Sequence, residues 1–341
     1  MAKFSIRRLF DVRDMTSGSP MACIAQFSVP LLIGNLAQQL YSTVDSIVVG
    51  QYVGDGALAA VGASNPVINL LLVLFIGIST GAGIMVSQYF GAKQREQLSM
   101  TVGNCMTLTL LSSLVITVLG VVITRPLMGL LNTPEEIFDM ACDYMLIIFL
   151  GNVGTSYYNI VSGILRGLGD SFTPLVFLLV ACGLNIVLDL YFVAVLGMGV
   201  AGAAWATIIS QIISAILCIL RLWRMKDIIS IDRKTLRLHG FYALQLARLG
   251  LPSGITQGIF SLAMIVVQSL TNSMGTAVIA CTTVVMRVDG FAMMPNFTFG
   301  TAMTTFAGQN MGAGLLERTR QGTRAGLKLA VICACILTLC I

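Results

Sequence analysis

The sequence predicts an all-α polytopic membrane protein built as two related lobes, and three observations lead to this prediction. Of the 341 residues, 56% are hydrophobic and only 10% are charged, with a mean hydropathy of +0.89. Long apolar runs alternate with short basic loops, and a motif in the first half returns 221 residues later. A soluble domain would need far more polar surface than this composition supplies.

The apolar runs predict the membrane spans in chain order. A helix needs about 20 apolar residues to cross the hydrocarbon core. Eight runs reach that length, and they cover residues 25–50, 57–79, 100–124, 138–162, 172–194, 198–221, 249–272 and 277–305. A ninth begins near Leu327 and continues to Ile341. Because about 15 residues are too few to span comfortably, we expect the chain to be truncated at its C-terminus.

A long polar stretch divides the chain into two parts. We assign residues 1–221 to an N-terminal lobe of six helices and residues 249–341 to an incomplete C-terminal lobe of about three helices. The segment between them, 222–248, is rich in basic residues and is expected to be a cytoplasmic connector.

An internal repeat links the two lobes. Four residues of the first half recur 221 positions later, and the pairs are Gln88 and Gln309, Gly91 and Gly312, Ala92 and Ala313, and Glu96 and Glu317. Many membrane transporters consist of such repeats, place their sites between them and rock one against the other. The repeat therefore favours transport as the function.

The distribution of basic residues predicts the orientation. Of the 20 lysines and arginines, 18 fall in alternate loops, and Arg125 is the basic residue of an opposite loop. The positive-inside rule then places the N-terminus in the cytoplasm of a multi-pass protein of the cell (inner or plasma) membrane. The net charge of +5 thus reflects topology, and no nucleic-acid partner is expected. The nine cysteines form no CxxC pair, and no cofactor is expected.

Three acids interrupt the apolar spans: Asp45, Asp189 and Asp289. An ionised carboxylate at the bilayer centre costs on the order of 2.5–3.5 kcal/mol on insertion scales. Each acid is therefore a candidate functional residue. The alternative is that each merely satisfies a polar group on a neighbouring helix.

The first two acids have polar neighbours on their own helices. Asp45 shares a helical face with Gln38 and Tyr41, and Asp189 shares one with Asn185. Carboxylate, amide and hydroxyl oxygens form a hard site suited to H⁺ or Na⁺. The candidate coupling residues, which would also ligate Na⁺ if that is the ion, are Asp45, Asn185, Asp189 and Thr207.

The third acid lies among soft apolar side chains. Met286 and further methionines and phenylalanines flank Asp289, and such side chains can line a permissive pocket. They can equally pack against helices or face lipid. Arg287 and Asp289 are two positions apart and are not expected to pair. The candidate substrate-cavity residues are Gln38, Tyr41, Met286, Arg287 and Asp289.

The motifs taken together resemble the multidrug and toxic compound extrusion (MATE) family. The matching stretches are 44–50, 57–62, 77–91, 165–170 with Pro174, 185–189, 199–204, 250–252 and 308–314. The resemblance implies twelve helices in two six-helix lobes around a V-shaped cavity, with drug export driven by inward H⁺ or Na⁺. It places the coupling cluster on the four residues named above and a helix bend at Pro30. Arg287 matches a cavity-facing basic position of some relatives.

We therefore expect a secondary active antiporter that exports cationic, partly apolar compounds in exchange for H⁺ or Na⁺. Its partners would be a small drug-like molecule and the lipid bilayer. The protein would be a monomer, and no enzymatic activity is expected. One alternative is a flippase for lipid-linked precursors, although Arg287 is the only basic residue deep within a span. An alternative of another class is an intramembrane enzyme that uses Asp45 and Asp189 as acid–base groups or Mg²⁺ ligands.

Overall fold

The chain folds almost entirely into helices, as a computed structural model of residues 12–130, 133–273 and 276–340 shows. Within these ranges there are ten α-helices and one π-helical turn, Leu190–Val195, and there is no strand. The α-helices are α1 (Pro20–Tyr52), α2 (Asp55–Gly91), α3 (Arg95–Leu130), α4 (Glu135–Leu150), α5 (Asn152–Gly167), α6 (Phe172–Asp189), α7 (Gly199–Arg224), α8 (Gly240–Ser273), α9 (Thr276–Gly312) and α10 (Leu316–Cys340).

The predicted spans coincide with these helices, and the all-helical membrane fold is confirmed. Among the described residues, four helices are long and apolar enough to cross a bilayer, namely α1, α3, α6 with its π-helical turn, and α7. The pair α4 and α5 is a fifth if it counts as one bent span. The remaining long helices, α2, α8, α9 and α10, contain 37, 34, 37 and 25 residues.

The span predicted as one run at 138–162 is a bent pair of helices. Helices α4 and α5 meet at Gly151 with a bend of 51°. A Cβ atom at Gly151 would overlap the side chain of Ile208 on α7, and one at Gly154 would lie 2.5 Å from Ile212. Helix α7 thus packs directly against the backbone at the bend, which is a long-range contact that apolar periodicity does not reveal.

The core of the N-terminal lobe lies between α2, α3, α5 and α7. Val86, Val102, Ile164 and Cys218 contribute to it from these four helices, and each is fully buried. Because lipid tails are as apolar as these side chains, close van der Waals contact rather than transfer from water supplies most of the packing energy.

The two lobes meet along α2, which contacts both α8 and α9. Glycines permit this close approach. A Cβ at Gly77 would lie 2.8 Å from the carbonyl oxygen of Gly250 on α8, and a Cβ at Gly250 would lie 2.5 Å from the carbonyl oxygen of Gly77. Small residues at both positions let the helix backbones touch, as is common in membrane bundles.

The repeated motif lies at the crossing of α2 and α9. A Cβ at Gly91 would overlap the carbonyl oxygen of Gln309, and a Cβ at Gly312 would overlap the carbonyl oxygen of Gln88. The two copies of the repeat therefore pack reciprocally against each other. This contact closes the lobes together at the end of the bundle that carries most of the basic loops, which we call the basic end.

The N-terminal segment before α1 is held between the lobes at the basic end. The Gln309 side chain accepts a hydrogen bond from the backbone N–H of Met15 (2.9 Å) and donates one to the carbonyl of Gly167 at the end of α5 (3.2 Å). The Arg318 guanidinium on α10 donates to the carbonyls of Met15 (3.1 Å) and Gly18 (2.7 Å). One segment thus contacts helices of both lobes.

The connector between α7 and α8 packs along α3. Arg95 donates to the carbonyl of Lys226, Thr107 Oγ1 donates to the carbonyl of Leu236 (2.7 Å), and the side-chain oxygen of Asn104 accepts from the N–H of His239 (2.7 Å). Residues 240–248 of the predicted connector are the first turns of α8. The lobe boundaries at 221 and 249 stay a prediction.

The glycine crossing generates a stability prediction. Gly91→Ala places a methyl group against the backbone of α9, and the same holds for Gly312→Ala against α2. Overpacking of this kind costs about 1–3 kcal/mol, so each variant should melt at a lower temperature than the parent. Thermal unfolding of the detergent-solubilised protein measures this.

Gly62→Ala on the same helix is the matched control, because nothing lies within 4 Å of its Cβ position. That substitution should leave the melting temperature unchanged or raise it, since alanine favours the helix over glycine by about 1 kcal/mol. Equal melting of the Gly91 and Gly62 variants would contradict the close crossing.

Candidate functional site

Three helices of the N-terminal lobe bring five polar side chains together. Tyr41 and Asp45 come from α1, Asn185 and Asp189 from α6, and Thr207 from α7. Asp189 is fully buried and Asn185 is 1% exposed, while the other three are partly buried. On each of α1 and α6 the two residues are four apart, so they lie one turn apart on the same face.

Thr207 connects the cluster through hydrogen bonds. Its Oγ1 lies 3.2 Å from the Tyr41 hydroxyl and accepts a hydrogen bond from the Asn185 amide at 3.4 Å. One hydroxyl on α7 thereby ties α1 to α6. The four residues that the sequence singled out as the coupling set are thus placed side by side in space.

The carboxyl groups of Asp45 and Asp189 are neighbours that interact electrostatically with each other. Two ionised carboxylates offer only acceptors, so a hydrogen bond between them would require one of them to hold a proton. Among the described residues, no donor bonds Asp45 Oδ1, either carboxylate oxygen of Asp189, or Asn185 Oδ1.

The cluster thus has four buried acceptor oxygens without a donor, so hydrogen bonds within the described part of the protein do not satisfy it. A buried acceptor left unsatisfied costs about 1–3 kcal/mol, and more when it is charged. A proton or a small hard cation would satisfy these oxygens. The donor set, two carboxylates, an amide oxygen and a hydroxyl, fits Na⁺ as well as H⁺.

The backbone after Asp189 positions this acid. The α-helix changes there into the π-helical turn Leu190–Val195, and π-turns often occur at functional sites. Gly197 and Gly199 follow with φ angles of 64° and 61°, which glycine adopts without strain. The chain can therefore reverse tightly into α7 so that Thr207 faces α6. Apolar periodicity carries no signal for this π-turn.

Tyr144 on α4 is a further member that sequence reasoning missed. Its side chain is 7% exposed and interacts electrostatically with Asp45, Tyr41 and Asp189. A tyrosine hydroxyl within an apolar run is the signal that could have identified it. Its presence means that a fourth helix contributes to the cluster.

The other residues predicted for the N-terminal lobe, Gln38 and Pro30, lie on α1. Gln38 is exposed one turn before Tyr41, and Pro30 lies inside a helix that continues through it. Between them, the Asn35 amide donates to Thr298 Oγ1 on α9 at 3.0 Å. This hydrogen bond between the lobes was not predicted, and it makes α1 the helix that touches both the acid cluster and the other lobe.

The structure does not bring Asp289 to the acid cluster. Asp289 is exposed on α9, on the same face as the exposed Met293 and Asn296, whereas Thr298 on another face meets α1. Helix α9 includes Met286 and Arg287, but their side chains lie outside the described part of the structure.

Two further acids on α4, four residues apart, lie outside the acid cluster. Asp139 and Asp143 are both exposed on α4, and Asp139 forms an ion pair with Arg125 at 3.3 Å. Within the described ranges, no group of three or more His, Cys, Asp or Glu side chains could hold a metal ion.

Comparisons with known proteins agree with the motifs. The MatE family profile matches residues 30–191 and 252–341. The Bacillus subtilis protein named "Probable multidrug resistance protein YoeA" is 34% identical over 324 residues, covering 92% of this chain and 70% of the relative. Another Bacillus subtilis protein, "Probable multidrug resistance protein YpnP", is 31% identical, covering 89% of this chain and 68% of the relative.

A solved structure shares the fold. It is described as the outward-facing conformation of a multidrug resistance MATE family transporter of the MOP superfamily, and it matches with a TM-score of 0.88 and 28% identity over 94% of this chain and 71% of that chain. The apolar helices and this likeness establish a multi-pass membrane protein. With its motifs, its profile match and its fold in agreement, the chain belongs to the MatE family of transporters.

Proposed function

We propose that this protein is a secondary active antiporter that exports cationic, partly apolar compounds in exchange for inward H⁺ or Na⁺. The observation that carries the proposal is the pairing of two neighbouring acids, Asp45 and Asp189, whose buried oxygens lack donors among the described residues. The names of the relatives as multidrug resistance proteins support the substrate class. The proposal invokes no enzymatic step and no cofactor besides the coupling ion.

The free energy available to the cluster depends on the charge of the exported compound. One charge that moves down a potential of 100 mV releases about 2.3 kcal/mol, which exceeds the cost of about 1.4 kcal/mol for a tenfold gradient of an uncharged substrate. Export of a monovalent cation in exchange for one ion cancels the electrical contribution, so it must draw on the concentration gradient of the ion or on a second ion. The ion can drive the transition only if it binds the two conformations of the protein with different affinity. A cluster shared among four helices would meet this condition, because a rotation of α1 relative to α6 would change the distance between the two carboxyls.

The closed basic end supports alternating access. We assign this end to the cytoplasm on the basis of the positive-inside rule, with the N-terminus on the same side in the cell membrane. The tight crossing at Gly91 and Gly312 would then seal the cytoplasmic side. Ion binding at Asp45 and Asp189 would favour separation of the crossing, with α1 as the link through Asn35 and Thr298. Pro30 would permit α1 to bend.

Ion binding to the cluster should be measurable as a gain in stability. A ligand that binds only the folded state stabilises it by about 2.7 kcal/mol at a hundredfold excess over its Kd. Acidification, added Na⁺, or both should therefore raise the melting temperature of the parent in detergent. Asp45→Asn should remove this response, since the amide can donate to Asp189 in place of the proton.

Asp55→Asn is the matched control for that experiment, because Asp55 is an exposed acid at the start of α2. It should melt with the same ion and proton dependence as the parent. If the melting temperature of the parent protein changes with neither pH nor Na⁺, the assignment of an ion site is wrong.

Export should depend on both acids. We expect Asp45→Asn and Asp189→Asn to lower ethidium efflux from cells that express the protein at least tenfold, because neither variant can form the two-carboxyl site. Asp55→Asn should export at the rate of the parent at matched expression. Undiminished efflux in both site variants would refute their coupling role.

The identity of the ion can be tested separately. We expect efflux to follow one of two gradients, because the oxygen cluster fits H⁺ and Na⁺. Replacement of Na⁺ by K⁺ at fixed pH should stop a Na⁺-coupled exporter, whereas a protonophore at fixed Na⁺ should stop a H⁺-coupled one. Efflux that persists under both treatments is incompatible with secondary antiport.

A further inference from the structure

A cavity at the basic end of α7 is separate from the acid cluster. Its volume is about 390 Å³, and its lining residues are Leu222, Trp223, Lys226, Ile229, Ser230 and Ile231. Thr207 lies 16 residues before Trp223 on the same helix, so about 24 Å separate the two sites. The cavity therefore has no part in the ion site.

An apolar face of α7 leads into this cavity. Ile216, Leu220 and Trp223 are 50%, 44% and 56% exposed. They are spaced four and three residues apart, which places them on one face of the helix. Helix α7 is one of the helices long and apolar enough to span a bilayer, so this exposed face contacts lipid tails. Trp223 stands at its end, at the depth where tryptophan is enriched in membrane proteins.

The polar side of the cavity is positively charged. Lys226 forms no ion pair within the described part of the chain. The Arg95 guanidinium donates to the carbonyl of Lys226 and to Ser230 Oγ at 3.4 Å, although Arg95 itself lines a second, neighbouring cavity. The neighbouring acid, Asp227, lines that second cavity as well, together with Asp14. An anionic group in the cavity beside Trp223 would thus meet the Lys226 ammonium and the Ser230 hydroxyl without an opposing carboxylate in the lining.

We propose that this cavity binds an anionic phospholipid, with its phosphate at Lys226 and an acyl chain along Ile216, Leu220 and Trp223. Four of the six lining residues are apolar and the cavity continues into a lipid-facing helix surface, which a free phosphate would not use. Basic pockets at the ends of membrane helices recognise acidic head groups in this way. The bound lipid would hold the start of the connector at the membrane surface. The proposal does not depend on what the protein transports.

The two tryptophans of the chain, Trp205 and Trp223, permit a direct test. Trp205→Phe leaves Trp223 as the only reporter, and Trp223→Phe leaves Trp205 at the other end of α7. The full chain is reconstituted in phosphatidylcholine with a low mole fraction of bromine-labelled phosphatidylglycerol or, separately, of bromine-labelled phosphatidylcholine, and fluorescence quenching is measured. Trp223 should be quenched more by the anionic lipid, whereas Trp205 should be quenched equally by both.

Variants at the cationic position give the control. In the Trp205→Phe background, Lys226→Ala should lower the preference for phosphatidylglycerol about fivefold, as expected for the loss of one basic residue near the surface. Lys226→Arg should retain it. Lys234→Ala removes the same charge from the same connector outside the cavity and should preserve most of the preference.

Two results would overturn the proposal. One is equal quenching of Trp223 by the two labelled lipids, and the other is an equal loss of preference in the Lys226 and Lys234 alanine variants, which would indicate diffuse surface charge. Should Lys226→Ala fail to fold, the titration of added salt against the Trp205→Phe variant replaces it. Screening should then remove the phosphatidylglycerol preference of Trp223, and a preference insensitive to salt would contradict a charged site.

Discussion

The close crossing of α2 and α9 is the contact on which the rest of the structure depends. At Gly91 and Gly312 each helix occupies the space that a side chain on the other would need. Since only hydrogen fits there, the crossing determines how the two lobes lie at the basic end. Gln309 then reaches both the N-terminal segment and the end of α5 from α9. Any motion that opens this end must separate these backbones first.

The acid cluster lies within one lobe, but one of its helices also touches the other lobe. Asp45 and Tyr41 are on α1, and Asn35 on the same helix bonds Thr298 of α9. About 15 Å along the helix axis separates Asn35 from Asp45. Helix α1 is therefore the direct physical connection between the oxygens that would bind an ion and the surface where the lobes meet. A change at the cluster can reach the interface through one rigid element.

The basic end combines several features that would otherwise look unrelated. The glycine crossing, the N-terminal segment, the connector and the cavity beside Trp223 all lie there. Arg95 and Arg318 each hold backbone carbonyls of a segment that leads into the first helix of the opposite lobe. Lipid bound beside the connector would act on the same end of the molecule at which the lobes are closed.

The sequence by itself determined the helices and the repeat, and it singled out the acids within the apolar spans. Lipid forces backbone polar groups to pair within helices, so apolar runs translate directly into helices, and a carboxylate in such a run is costly enough to stand out. Only the tertiary structure decided which of these residues meet. Asp45 and Asp189, 144 positions apart, share a site, while Asp289 does not join them. That outcome depends on the π-turn after Asp189, the bend at Gly151 and the rotation of each helix. These features arise from contacts between distant segments, and local hydrophobic patterns carry no information about such contacts.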